Sequence, residues 1–346
     1  MTLARHLGGV VLVRVLGALL ALGGLAAALD LVESAADVLA RDDGGLARYL
    51  ALRAPVILTA VTPVALIVGP VLAFLSLAGR SEFVVLRAAG ATTYRMLLSL
   101  MPVALALGLV FYVLTDRVSP TLEGRLSAWL DPAPAESAGA FWARTRQGVI
   151  HAASSSPAGD RLGGVEIYGT DAEGRLLTRI TAGAARYDDG AWRLEDAVRL
   201  VPGEARSTRI DGELWETTLR PANVRALAAP TRSVAGNVAE RILSGGWVGN
   251  RTAEFYQTRV YRGYAAFLAP FVMILLAAPA AFGTRRGGGL GGRAAMAVAL
   301  GFGFLLLDGM LTALGETGNL PPALAAFGAT AMFGALGLWI LISLEE

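Results

Sequence analysis

Few side chains in this sequence have the types and spacing for covalent chemistry. His151 stands near Ser154, Ser155, Ser156 and Asp160, which supplies the parts of a nucleophilic triad. Those serines run into a Ser-Pro-Ala-Gly turn with no G-x-S-x-G elbow, so a solvated hairpin tip is the stronger reading. Metal ligation has less to offer. The chain has no cysteine, and its two histidines, His6 and His151, are far apart with no clustered carboxylates at ligand spacing. The run Gly287-Gly288-Gly289 to Gly292 lacks both a preceding strand and the lysine of a phosphate-binding loop, and reads as a linker. The whole chain contains no lysine, so it cannot build a Walker A site. If ATP drives this protein, another subunit binds ATP and magnesium and hydrolyses the nucleotide; no cofactor is expected on this chain.

Two features carry a different kind of chemistry. Asp308 lies within an apolar run, about 15 residues and roughly 22 Å past Arg293, where an ionisable group is costly and therefore marks either a polar contact between helices or the lining of a cavity. The stretch Arg80 to Ala91, reading RSEFVVLRAAGA, carries charges that a membrane span would not tolerate and sits between two apolar segments. Phe83, Val84, Leu86, Ala88 and Ala89 suit one face of a short helix, Glu82 and Arg87 fall elsewhere, and Gly90 offers a stop. Such a helix is either an interfacial connector or a docking element for a soluble partner.

The elements that position these residues are membrane spans. Of 346 residues, 54% are hydrophobic and 17% charged. A net charge of +2, with basic residues clustered in loops instead of covering a folded face, is too small to suggest nucleic-acid binding. Apolar runs at 8–29, 54–78, 92–114, 261–282, 294–314 and 320–344 are each long enough to cross a bilayer of about 30 Å. Ala26-Ala27-Ala28 resembles a cleavage site, but the apolar region before it exceeds that of a signal peptide. Residues 30–53 read as a loop or short helix outside the membrane. Asp116 and Arg117 mark the exit of the third span. Small residues Gly301 and Gly303 are expected to permit close helix packing.

Arg5, Arg14, Arg80, Arg87, Arg95, Arg285, Arg286 and Arg293 all fall on one side of a six-span arrangement, which places both termini and RSEFVVLRAAGA in the cytoplasm. Between spans three and four the texture changes to short alternating runs, with hairpin turns at 171–174 and 188–190. The strands expected at 141–152, 164–168, 175–180, 191–194 and 208–215 argue an antiparallel sandwich or open barrel on the outer side, periplasmic in a Gram-negative cell. The expected division is 1–118 for helices 1–3, with the cytoplasmic helix at 80–91; 119–254 for the β-domain; and 255–346 for helices 4–6.

The strings SEFVVLRAAGAT, Leu29-Asp-Leu-Val-Glu33, VEIYGTDAEGRLL, AARYDDGAWRLEDA, VMILLAAPAAFGTRRGGGLGG, LGFGFLLLDG and Leu320-Pro-Pro322 together resemble the LptF/LptG family. These are the permease subunits of the ABC transporter that extracts lipopolysaccharide from the inner membrane. The Asp-Leu-Val-Glu segment and the Trp192 hairpin favour the LptG branch. The resemblance implies six transmembrane helices with an inserted periplasmic β-jellyroll. It implies as partners an LptF-like sister permease, an LptB-like ATPase dimer and an LptC-like protein leading to a periplasmic bridge. By resemblance, Glu82 and Arg87 contact the ATPase, Phe83 and Leu86 pack against its groove before Gly90 ends the helix, and Asp308 lies in a cavity-lining span. Ala26-Ala27-Ala28 stands where some LptG members carry a basic residue that can meet lipid A phosphates, which leaves Arg41, Arg48 and Arg53 as candidates for that contact. The competing class is a membrane-anchored scaffold whose β-domain binds other envelope proteins.

Overall fold

In a computed structural model of the chain, the residues described are 3–39, 45–130, 140–145, 148–171, 173, 175–203, 207–215, 217–228, 234–244, 249, 251–282 and 290–343. Arg41, Arg285, Arg286, most of the glycine-rich loop and the side chain of Arg293 lie outside them. The chain divides into two compact units, Met1–Glu123 with Tyr261–Glu346, and Gly124–Val260.

The first unit is helical: α1 (Leu3–Leu39), α2 (Gly45–Gly79), α3 (Glu82–Ala88), α4 (Thr93–Leu98), α5 (Met101–Val113), a π-helical turn (Leu114–Val118) and α6 (Ser119–Leu130), which carries the chain into the second unit. After the β-domain come α9 (Ala253–Phe282), α10 (Leu290–Glu316) and α11 (Pro322–Ser343). Among the described residues, six segments are long and apolar enough to cross a membrane: Leu3–Ala35, Gly45–Gly79, Met101–Ser127, Ala253–Ala278, Ala294–Glu316 and Pro322–Ser343. Val11, Val15, Leu66, Phe74, Met96, Leu276, Phe304 and Phe333 form the centre of their packing. Gly301 lies so close to α2 that a Cβ there would come within 2.5 Å of Ile67, the close packing expected of it, whereas at Gly303 the nearest atom would be at an ordinary 3.4 Å.

Three spans differ from their expected form. Residues 30–53, expected as a loop or short helix, are for the most part extensions of the first two span helices. α1 runs 37 residues, about 55 Å, and α2 begins at Gly45. Polar side chains facing each other across the pair hold these extensions together, as described below. The third span is broken: α4 ends at a turn through Ser99 and Leu100, and α5 restarts with Pro102 in its first turn, where proline's missing N–H has no helical partner to lose. The helix does not end at Asp116 and Arg117 but continues through them as a π-turn into α6. Asp116 is buried there, and a Cβ on Gly263 of α9 would come within 2.9 Å of its Oδ1.

The second unit carries an antiparallel sheet of β1 (Phe141–Thr145), β2 (Gly148–Ser155), β3 (Arg161–Thr170), β4 (Leu176–Asp188), β5 (Ala191–Glu195), β6 (Val198–Leu200), β7 (Thr208–Arg209) and β8 (Leu214–Trp215). The order is β1-β2-β3-β4-β5-β8, with β6 also on β4 and β7 on β6. The 13-residue β4 is long enough to pair β5 at its C-terminal end and β6 at its N-terminal end, the break between them falling at Asp196 with φ 50°. The β4–β5 hairpin turns at Asp189 and Gly190, both at positive φ, as a two-residue turn requires. Two expected strands are each two: 141–152 folds back as β1 and β2, and 208–215 splits into β7 and β8. Strand alternation puts Phe141, Ala152, Val165 and Ala182 in one row across four strands, all buried. That face packs with Val224 of α7 (Pro221–Ala228) and with Ala239 and Ile242 of α8 (Gly236–Ser244). Trp192 is fully buried in this core and donates its indole N–H to the Leu219 carbonyl at 2.7 Å.

Candidate functional site

The connector between α2 and α4 is fixed at both ends by backbone geometry. Ser81 takes a left-handed conformation (φ 55°), and its carbonyl accepts the amides of Val84 and Val85, which starts α3. At the other end Gly90 (φ 82°) donates to the Arg87 carbonyl and Ala91 to that of Leu86, so Gly90 stops the helix as expected. The seven-residue helix has an inner and an outer apolar side. Phe83 is only 6% exposed and meets Phe74 edge-on at 6.1 Å, and Leu86 packs against the same core. Val84 and Val85 are 68% and 65% exposed.

Phe83 and Leu86, expected to pack against a partner's groove, lie on the inner side of α3 within this chain. Phe83 and Leu86 seal α3 onto its own chain; the apolar surface offered outward belongs to Val84 and Val85. A window this short leaves the phase of the helix undetermined until the tertiary contacts set it. The charged residues are also engaged internally. Glu82 accepts a hydrogen bond from His6 Nε2 at 2.8 Å and lies 3.9 Å from Arg80, while Arg87 donates to Thr93 Oγ1 at 3.1 Å. His6 was missed as a partner for Glu82. Its place beside Arg5, on the arginine-rich side of the first span, was the available signal.

A second cluster joins the extended ends of α1 and α2. Arg53 holds Asp30 through two nitrogens, Nη2 at 2.6 Å and Nε at 3.0 Å, and the Tyr49 hydroxyl reaches both Asp30 and Ser34. Arg53, expected to meet lipid phosphates, is therefore already paired with a carboxylate in a forked geometry. Arg48 is exposed on α2.

Asp308 sits in α10 with Oδ2 at 3.9 Å from Nη2 of Arg262 in α9, a partner that the span-four boundary at Tyr261 should have suggested. The pair borders a cavity of about 140 Å³ enclosed with Pro63, Phe111, Thr115 and Phe304. Ordinary ligand pockets have roughly 300–1,000 Å³, so this space within the subunit is too small for a glycolipid. The buried hydroxyl of Thr115 on its wall has no hydrogen-bond partner among the described residues.

The β-domain residues with triad-like spacing do turn chemistry instead. Ser156 Oγ accepts the amides of Asp160 and Arg161 and donates to Asp160 Oδ1, closing the β2–β3 hairpin; this hydrogen bond holds the Asp160 carboxyl below the usual range. His151 is turned to the other face of the sheet, tilted over Trp142 at 4.4 Å. No group of three or more metal-ligating side chains occurs among the described residues.

A six-helix unit with a β-domain between helices three and four, and an amphipathic connector after helix two, is the arrangement that the sequence resemblance implied. The family described as "Lipopolysaccharide export system permease LptF/LptG" matches residues 5–343. The chain belongs to the LptF/LptG family. Among curated relatives, it is 27% identical to the lipopolysaccharide export system permease protein LptG of Escherichia coli (strain K12), covering 86% of this chain and 85% of that protein. It is 25% identical to the LptG of Haemophilus influenzae (strain ATCC 51907 / DSM 11121 / KW20 / Rd), over 97% and 94% respectively. Both relatives are LptG proteins, in line with the branch that the Asp-Leu-Val-Glu and Trp192 segments favour. Membership extends over spans and β-domain alike, so this LptF/LptG chain is a multi-pass membrane permease and not a β-domain carrying an unrelated anchor.

Proposed function

We propose that this permease extracts lipopolysaccharide from the inner membrane, driven by an LptB-like ATPase dimer that α3 engages, and works beside an LptF-like sister permease. The substrate then passes along the β-domain, on the periplasmic side, to an LptC-like protein and the bridge to the outer membrane. Both termini and α3 face the cytoplasm, following the arginine bias. ATP and magnesium reside on the partner; this chain makes and breaks no covalent bond. The observation that carries the reading is α3 itself: a helix with adjacent valines outward, clamped from beneath by Phe83 on Phe74 and from the side by Glu82 on His6. A rigidly seated apolar knob transmits a push from a soluble partner into α2, which a loosely attached connector cannot do.

Within this scheme Asp308 and Arg262 tie α10 to α9 inside the subunit. The lipid path lies on outer helix surfaces shared with the sister permease. Arg48 and Arg41 are the candidates for phosphate contact, because Arg53 is committed to Asp30.

The test is co-purification of the ATPase with the permease pair from membranes. Val84→Glu with Val85→Glu is expected to reduce ATPase recovery at least tenfold while the two permeases still purify together. Glu82→Arg acts in the same direction by unseating the helix from His6. Full ATPase recovery with both the double variant and Glu82→Arg would refute docking through α3.

A further inference from the structure

The break in the third span leaves an opening that no role above uses. Where α4 stops at Ser99–Leu100 and α5 restarts, the helix path steps aside, and Ser99 Oγ takes up the freed Met96 carbonyl at 2.6 Å. Beneath the step lies an almost wholly apolar groove of about 320 Å³, walled by Leu98 and Met101 on one side and by Ile274, Leu275 and Leu338 of α9 and α11 on the other. Its volume lies within the roughly 300–1,000 Å³ range of ligand sites, unlike the Asp308 cavity. Leu98 and Met101 are exposed, so the groove is open at its side.

Charge at one end says what fills it. Arg95 lies one helical turn before Leu98 on the same face of α4. Its guanidinium is exposed and has no hydrogen bond or ion pair among the described residues; its backbone alone is engaged, the amide with Thr92 Oγ1 and the carbonyl with the Ser99 amide. Tyr94, half-exposed beside it, lines the groove mouth in the manner of an aromatic anchor at the membrane–water boundary. An apolar slot between spanning helices with an unpaired cation at its mouth is the arrangement that retains an anionic lipid headgroup. We propose that this groove is a site for an anionic glycerophospholipid, one acyl chain lying along Leu98, Met101 and Leu275 and its phosphate on Arg95. The site is separate from α3 and from the Asp308 cavity, and the inference does not depend on the transport reading.

The permease, purified with its subunit partners and stripped of lipid, is titrated with phosphatidylglycerol or phosphatidylethanolamine and observed by native mass spectrometry. The wild type is expected to retain one phosphatidylglycerol in preference to phosphatidylethanolamine. Arg95→Gln weakens phosphatidylglycerol about fivefold and removes the preference, as expected for one arginine at an anionic surface. Ala104→Phe, which fills the groove floor, abolishes retention of both. Equal retention of the two lipids by the wild type, unchanged retention in Arg95→Gln, or a co-purifying lipopolysaccharide at the site would each overturn the proposal. Arg95 is exposed, so Arg95→Gln decides the matter even if Ala104→Phe does not fold.

Discussion

At the scale of single residues, Glu82, Arg87, Arg53 and Asp308, singled out in the sequence, each have a polar or charged neighbour within the chain. Asp30 and Arg53 illustrate the energetics. A forked carboxylate–guanidinium pair that is only partly exposed loses more when one member is removed than when both are, because the survivor keeps its desolvation cost. Arg53→Ala and Asp30→Ala should each lower the unfolding midpoint in detergent, and the double variant should recover part of the loss, with a coupling of about 0.5–3 kcal/mol. Strictly additive losses would show that the pair contributes nothing. Asp160 makes a prediction about acid. Its folded pKa is held below the ordinary 3.8 by the Ser156 hydroxyl, so its contribution is complete above that value and disappears as pH falls through the folded pKa. The stability difference between wild type and Asp160→Asn should therefore be constant from neutral pH to about pH 5 and shrink below 3.8. A difference that grows on acidification would contradict the assignment.

At the scale of elements, α3 shows what periodicity can and cannot give. Its existence, its charged residues and its stop at Gly90 were legible in RSEFVVLRAAGA, but which apolar residues face inward was not, because seven residues complete barely two turns. Phe83→Ala should therefore destabilise the permease itself, by about 3 kcal/mol as for other buried Phe→Ala changes, whereas Val84→Ala should leave the fold intact and act only on partner binding. Thermal unfolding and ATPase pull-down on the two variants separate these outcomes; a destabilised Val84→Ala beside an unaffected Phe83→Ala would reverse the assignment of faces. The spans were readable from hydropathy, while the split of the third was not: Pro102 alone is tolerated in a membrane helix, and the break depends on how α4 seats Met96 in the core. The β4–β5 hairpin announced itself through Asp-Asp-Gly. The division of β4 between two neighbours did not, since the left-handed Asp196 that separates them carries no glycine to mark it.

At the scale of the whole molecule, the six spans, the inserted β-domain and the family match over residues 5–343 describe a permease rather than an anchored scaffold. In the proposed scheme, unlike in a scaffold, lipid movement depends on nucleotide. The chain has no lysine for a Walker A loop, so in the proposed scheme that dependence appears when this chain is combined with an ATPase. The decisive measurement is release of lipopolysaccharide from proteoliposomes holding this chain, its sister permease and the ATPase, to a soluble periplasmic acceptor. The account predicts release that requires ATP, requires this chain, and falls at least tenfold with Val84→Glu/Val85→Glu. Equal ATP-dependent release from vesicles that lack the chain, or release from the complete system that ignores ATP, would contradict it.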